Sequence, residues 1–211
     1  MKRITSLLLI MSAVLLPTLV SCDIEEKEPI ETMYTGFMTG YTNSDGYIKS
    51  LKDDFGKQYT VIEESEKLDP NAKYRIVASL AVDEKLNARI LQMAPTISYK
   101  APEDSILADS LRVKDPVEIN SLYIGGGFLN LYVGIKVAKE GTTHRLFYTH
   151  LDDTTKLRFT IYHNAYDDEP VYTKYTYISI PLSGYGLSQN DTVSLTAKGY
   201  QKDYAYELIY K

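Results

Sequence analysis

The chain predicts an all-β fold: a small OB-like Greek-key barrel followed by an antiparallel β-sandwich. Three observations carry this. From Met33 onward, apolar residues alternate in short runs with period two, the spacing that turns one face of a strand to a core. Turn residues such as Asp45-Gly46 break the runs. No stretch keeps the three-and-four apolar spacing of a long amphipathic helix.

The elements follow in order. "MYTGFMTGY" ends at the Asp45-Gly46 hairpin signal, and "YIKSLKDDFGKQYTVIEES" reads as two strands joined around Asp53 to Gly56. In "KYRIVASLAV", Tyr74, Ile76, Ala78, Leu80 and Val82 share one face, with Lys73, Arg75 and Ser79 opposite. "NARILQMAPTISYK" supplies another strand, broken at Pro95. Roughly five strands within residues 33–102 suit a small barrel. Residues 103–116, inside "APEDSILADSLRVKDPVE", carry acids and no alternation, so they read as a linker with room for a helical turn at Ser105 to Leu111.

Over 117–211 the alternation becomes strict. Leu129, Leu131, Val133, Ile135 and Val137 lie on one face, with Asn130, Tyr132 and Lys136 on the other. "KLRFTIYHN", "EPVYTKYTYISIPL", "DTVSLTAKGY" and "YAYELIYK" continue it, which argues for a sandwich. In "YAYELIY", Tyr204, Tyr206, Leu208 and Tyr210 share a face. Gly125-Gly126-Gly127 stands before a strand, whereas a dinucleotide loop opens a helix and a P-loop needs Lys-Ser/Thr. A bulge or sharp bend fits better.

The N-terminus reads as an address. Lys2 and Arg3 precede an apolar run, Leu7 to Leu16, which is shorter than the ~20 residues of a membrane helix, so residues 1–21 read as a signal peptide. Leu19-Val20-Ser21-Cys22 resembles a bacterial lipobox, and the resemblance implies cleavage before Cys22 and lipid on its thiol. Cys22 is the only cysteine, so no internal disulfide can form and the core alone must hold the fold. The acidic stretch over 22–32 reads as a tether; it also resembles the surface-export signal of Bacteroidetes lipoproteins. Removing Lys2 and Arg3 leaves 21 basic against 28 acidic residues, a mature charge of −7, which argues against nucleic acid as a partner.

Asp115-Pro116, Gly126-Gly127 and Phe128-Leu129-Asn130-Leu131 carry a resemblance to the NigD-like lipoproteins of Bacteroidetes. That resemblance spans essentially the whole chain and implies an N-terminal OB-like domain and a C-terminal β-sandwich. It transfers no catalytic or ligand residue.

The candidate chemistry is sparse, and the sequence implies neither a cofactor nor a metal site. His144 and His150 are six residues apart, ~20 Å along a strand, too far to share an ion. His163 falls on an apolar face and reads as a hydrogen-bonded core histidine. Ser183 lacks the spacing of a nucleophile elbow. Asp152-Asp153 and Asp167-Asp168-Glu169 could hold calcium or cut a glycosidic bond, but solvated turns are the commoner explanation. Asp-Ser/Thr-apolar (or Thr) tripeptides place candidate O-glycosylation at Ser105, Ser110, Thr154 and Thr192.

Tyrosine is abundant, 19 residues against five Phe and no Trp. Sheets favour Tyr, yet outward rings also build interfaces. Tyr172, Tyr175, Tyr177 and Tyr185 form the candidate interaction surface. The expected protein is therefore not an enzyme. It is a binding or structural module anchored in the envelope, at the outer membrane, through lipid on Cys22, with a protein or glycan partner. Surface carbohydrate capture is the alternative.

Overall fold

The computed structural model describes residues 31–139, 141–153 and 156–211, with the backbone alone at 152 and 153. Strands β1 (Thr32–Thr42), β2 (Ile48–Asp53), β3 (Gln58–Val61), β4 (Lys73–Val82) and β5 (Asn87–Pro95) close the expected barrel, in the order β1-β2-β3-β5-β4. β4 returns to pair with β1 along ten residues, so the ring has no free edge. Met38, Ile48, Leu51, Ala78 and Leu80 fill it and are fully buried.

Its hairpins share one turn chemistry. Asn43, Asp53 and Asp83 each begin a five-residue turn, and each side chain accepts the N–H groups two and four residues on. The fourth position is left-handed in all three: Gly46 at φ +90°, Gly56 at +89° and Leu86 at +64°. Gly is the cheap choice there; Leu86 is held instead by packing on the barrel core.

The sandwich stacks two sheets. One is β10-β7-β6, made of β6 (Glu118–Gly125), β7 (Phe128–Val137) and β10 (Tyr172–Pro181). The other is β12-β11-β9-β8, made of β8 (Arg145–Asp153), β9 (Lys156–Asn164), β11 (Thr192–Ala197) and β12 (Tyr204–Ile209). β9 and β11 pair in parallel, one departure from the antiparallel pattern, because β10 crosses to the other sheet between them. Leu129, Leu131, Val133, Phe159, Ile178 and Val193 form the core between the sheets. Tyr204, Tyr206, Leu208 and Tyr210 pack on that core from one face of the last strand.

The triple glycine closes a two-residue hairpin between β6 and β7. Gly126 (φ +61°) and Gly127 (φ +83°) have the two positive angles that a type I′ turn requires. The β-bulge of β6 lies elsewhere, between Ile119 and Ser121. The connecting segment contains two 3-10 turns, Asp104–Ile106 and Asp109–Leu111, and bridges to the sandwich at Glu103–His150, Lys114–His163 and Val117–Gly199. Asp104 secures it by accepting from Arg112 Nη1 (2.6 Å), Thr149 Oγ1 (2.7 Å) and the Tyr162 hydroxyl (2.8 Å).

Two residues expected on solvent faces are buried. Arg75 of β4 and Asn130 of β7 both point into the contact between barrel and sandwich. Their strands alternate as read, but at these two positions the outer face meets the other domain rather than water.

Candidate interaction surface

The outer face of sheet β10-β7-β6 is built in rows by strand register. Tyr123, Asn130 and Ser179 lie side by side in one row; Ser121, Tyr132 and Tyr177 form the next; Glu118, Gly134 and Tyr175 follow. The barrel covers the first row with Phe37 and Arg75 from the outer faces of β1 and β4, both with buried side chains.

That seam is a buried polar network. Arg75 Nη2 donates to Asp54 Oδ1 at 2.6 Å and to Asn130 Oδ1 at 2.8 Å, and its Nε donates to Ser179 Oγ at 2.7 Å. Asp54 Oδ2 accepts from Asn130 Nδ2 and from the Tyr123 hydroxyl, both at 2.8 Å. Ser179 Oγ closes the circuit by donating to Asn130 Oδ1 at 2.6 Å. The guanidinium lies between Phe128 (4.2 Å) and Phe37 (5.6 Å). With side chains 6% and 1% exposed, Arg75 and Asp54 form a buried ion pair, tolerable because its polar atoms are partnered. Burial first, then the Asp54 charge, pushes the Tyr123 hydroxyl far above its ordinary pKa and keeps it a donor.

Beyond the seam the same face opens to solvent as tyrosine. Tyr132 stacks on Tyr175 (4.8 Å between centroids, 25° between planes) and on Tyr177 (5.1 Å, 19°), and Tyr177 meets Phe37 edge-on. Gly134 makes room. A Cβ there would stand 2.8 Å from Thr173 Cγ2 and 3.1 Å from the Tyr175 ring, so Tyr175 lies across the glycine.

The four tyrosines singled out from sequence separate. Tyr175 (47% exposed) and Tyr177 (half-buried) join the patch. Tyr172 is exposed but has the opposite parity, that of Ile178 and Ile180. Tyr185 is not outward: it packs on the sandwich core against His150 and Phe159, although most of its loop is exposed. Tyr132, absent from that selection, is the centre of the stack; its place opposite Tyr177 depends on strand register, which sequence spacing alone does not contain.

The histidines form an unforeseen chain. His144 Nδ1 meets His163 Nε2 at 2.9 Å, His144 Nε2 meets Asp168 Oδ2 at 3.0 Å, and His163 Nδ1 meets the Pro116 carbonyl at 3.1 Å. Both ends accept, so three contacts need three protons on the two rings, one more than two neutral imidazoles hold. Burial first, and then the His144 charge, lowers the His163 pKa. The Ala138 N–H leads the interactions that lower Asp168. A base would need a free nitrogen facing a nucleophile, and His163 spends its outer nitrogen on a backbone carbonyl. Among the described residues no group of three or more His, Cys, Asp or Glu could hold a metal ion.

Ser105 and Ser110 are exposed and Thr192 half-buried; Ser183 is exposed in the β10–β11 loop. Cys22 and Thr154 lie outside the described residues, as do the side chains of Asp152 and Asp153. Asp167 is exposed beside Asp168, at φ +62°. No helix among the described residues is long and apolar enough to cross a membrane.

The family described as the NigD-like C-terminal beta sandwich domain matches residues 99–210. The chain belongs to the NigD-like family. The match takes in both sheets of the sandwich and the connecting segment before it. Among curated proteins none matches the chain. Solved structures share the whole fold. A NigD-like immunity protein from Bacteroides caccae superposes with TM-score 0.69 at 21% identity, covering 84% of this chain and 97% of its own. A candidate toxin-related protein from Parabacteroides distasonis gives 0.69 at 20%, covering 85% and 94%. A candidate lipoprotein from Bacteroides fragilis gives 0.61 at 17%, covering 85% and 98%. At these identities the likeness establishes the fold.

Proposed function

We propose that this NigD-like protein is a lipid-anchored envelope module that binds a protein partner through the tyrosine face of sheet β10-β7-β6. The stack Tyr175–Tyr132–Tyr177 carries the reading. Each ring has a face against a neighbour, and Tyr177 also meets Phe37 edge-on, so little ring face is left for a sugar. A sugar stacks on a free ring face, whereas a protein interface uses aromatic edges and hydrogen-bonding tips. The surface therefore favours protein contact over the carbohydrate alternative. The polar clusters support a role without catalysis: Asp54, Asp104 and Asp168 are each held by structural hydrogen bonds.

The anchor rests on "LVSC" and on the lipoprotein-like neighbour from Bacteroides fragilis. Cys22→Ala should move the chain from membrane to soluble fractions, since lipid supplies the anchoring energy at ~0.8 kcal/mol per buried CH₂. Retention on membranes at high salt would refute the anchor. For the surface, the complex recovered from membranes with the wild-type chain should be lost with Tyr132→Ala/Tyr175→Ala and kept with Tyr172→Ala. Equal recovery with both variants would refute the surface.

A further inference from the structure

The outer face of the barrel emerges from the seam beside an open cleft of ≈ 440 Å³, whose walls include Tyr41 of β1, Lys52 of β2, Phe55 of the β2–β3 turn, Lys73 of β4 and Phe128 of β7. Its aromatic groups contrast with the tyrosine patch. Phe55 is 83% exposed at a turn held rigid by Asp53, and Tyr41 is 41% exposed. Neither ring stacks on another aromatic ring among the described residues, and both are exposed.

The charges contrast too. Asp53 and Asp54 border the cleft, but both carboxylates are used: Asp53 by the Phe55 and Lys57 N–H groups and the Tyr59 hydroxyl, Asp54 by the seam. Lys52 and Lys73 are exposed and have no ion-pair partner among the described residues. Register places Lys52 opposite Thr39 and Lys73 opposite Tyr41, so the two lysines flank β1 from either side. In a mature chain of charge −7, this cleft offers, among the described residues, two unpaired cations against the one carboxylate, Asp53, that lacks a cation partner, beside two exposed rings.

We propose that the cleft binds a small organic anion carrying a flat ring, the ring against Phe55 and Tyr41 and the acid group between Lys52 and Lys73. The cleft has the volume typical of small-molecule sites, and its walls supply both parts of the recognition. A peptide strand is disfavoured because β1, β2 and β4 belong to a closed barrel with no edge to extend. The ligand class is a ring-bearing carboxylate, either free or as the terminal group of a larger molecule.

The test uses the soluble mature chain with three probes followed by NMR titration and calorimetry: 2-naphthoate, the uncharged 2-naphthamide, and acetate. Naphthoate should saturate with shifts confined to residues around the cleft, while the amide and acetate bind at least ~10-fold more weakly, each lacking half of the recognition. Lys52→Gln/Lys73→Gln should weaken naphthoate by ~10-fold and Phe55→Ala by several-fold. Their melting should be unchanged, as all three side chains are exposed. A free acid that binds as tightly as its conjugate to a short saccharide or peptide would make the free form sufficient; tighter binding of the conjugate would assign the terminal-group form. Failure of naphthoate to saturate, or equal binding by wild type and both variants, would overturn the proposal.

Discussion

The two faces of sheet β10-β7-β6 come from the same alternating strands yet are built for different ends. The inner face carries Leu129, Leu131, Val133 and Ile178, all fully buried against the opposite sheet. The outer face is polar by composition, and it divides. Its first row, with Asn130 and Ser179 fully buried, is sealed beneath the barrel as a charged network; the next rows are open tyrosine. A polar residue at period two therefore means only that it turns away from its own sandwich core. Whether water or another domain waits there is decided by the rest of the chain.

That division can be broken at graded cost. Arg75→Ala should have the largest effect, about 3–5 kcal/mol, because it leaves Asp54 charged and buried without its cation. Urea unfolding should show the barrel and sandwich separating into two transitions. A loss below about 1 kcal/mol would mean that water reaches the seam. Leu131→Ala on the inner face should cost roughly 3 kcal/mol through the cavity it leaves, without splitting the transition. Gly126→Val should cost about 2 kcal/mol: the position needs positive φ, and an added Cβ would overlap Asp54 Oδ1, so the seam suffers as well as the turn. Wild-type stability at Gly126→Val would show that the turn can relax without disturbing Asp54.

Acid should loosen the sandwich. Burial acts to raise the Asp104 carboxyl, but the hydrogen bonds from Arg112, Thr149 and Tyr162 outweigh it and hold its pKa below the ordinary value. The unfolded chain then takes up a proton first as pH falls, so this contribution is complete above about pH 4 and is lost below it, through the folded-state value. Asp168, lowered in the same direction, adds to the loss. Melting followed from pH 7 to pH 2 should fall in that window, with a shallower slope for Asp104→Asn. An identical slope in that variant would show that Asp104 does not set the acid response. The smallest stability effect belongs to the open rows: Tyr175→Ala should stay within about 0.5 kcal/mol of wild type.

The sequence made both β-rich halves legible because period-two alternation and turn residues are local signals. The seam was not legible, and Asp53-Asp54 shows why. Two identical neighbours diverge: Asp53 caps its own turn, while Asp54 reaches Tyr123 and Asn130 across the domain contact. The histidines teach the same lesson. Spacing along the chain brings His144 and His150 to attention, but folding pairs His144 with His163 of β9 and Asp168 of the following loop. The tyrosine patch was half legible, since Tyr175 and Tyr177 sit two apart on one strand, whereas Tyr132 enters from β7 by register.

If partner binding belongs to one face of β10 and not the other, the two parities of that strand must behave differently in the cell. A photo-crosslinking phenylalanine analogue placed at position 175 or at position 172, in intact cells, samples the two parities of that strand three residues apart. One discrete crosslinked protein is expected from position 175, abolished when Tyr132→Ala is added to a chain that still folds cooperatively, and none from position 172. Equal crosslinking from both positions, or a product at 175 indifferent to Tyr132→Ala, would contradict one-sided binding.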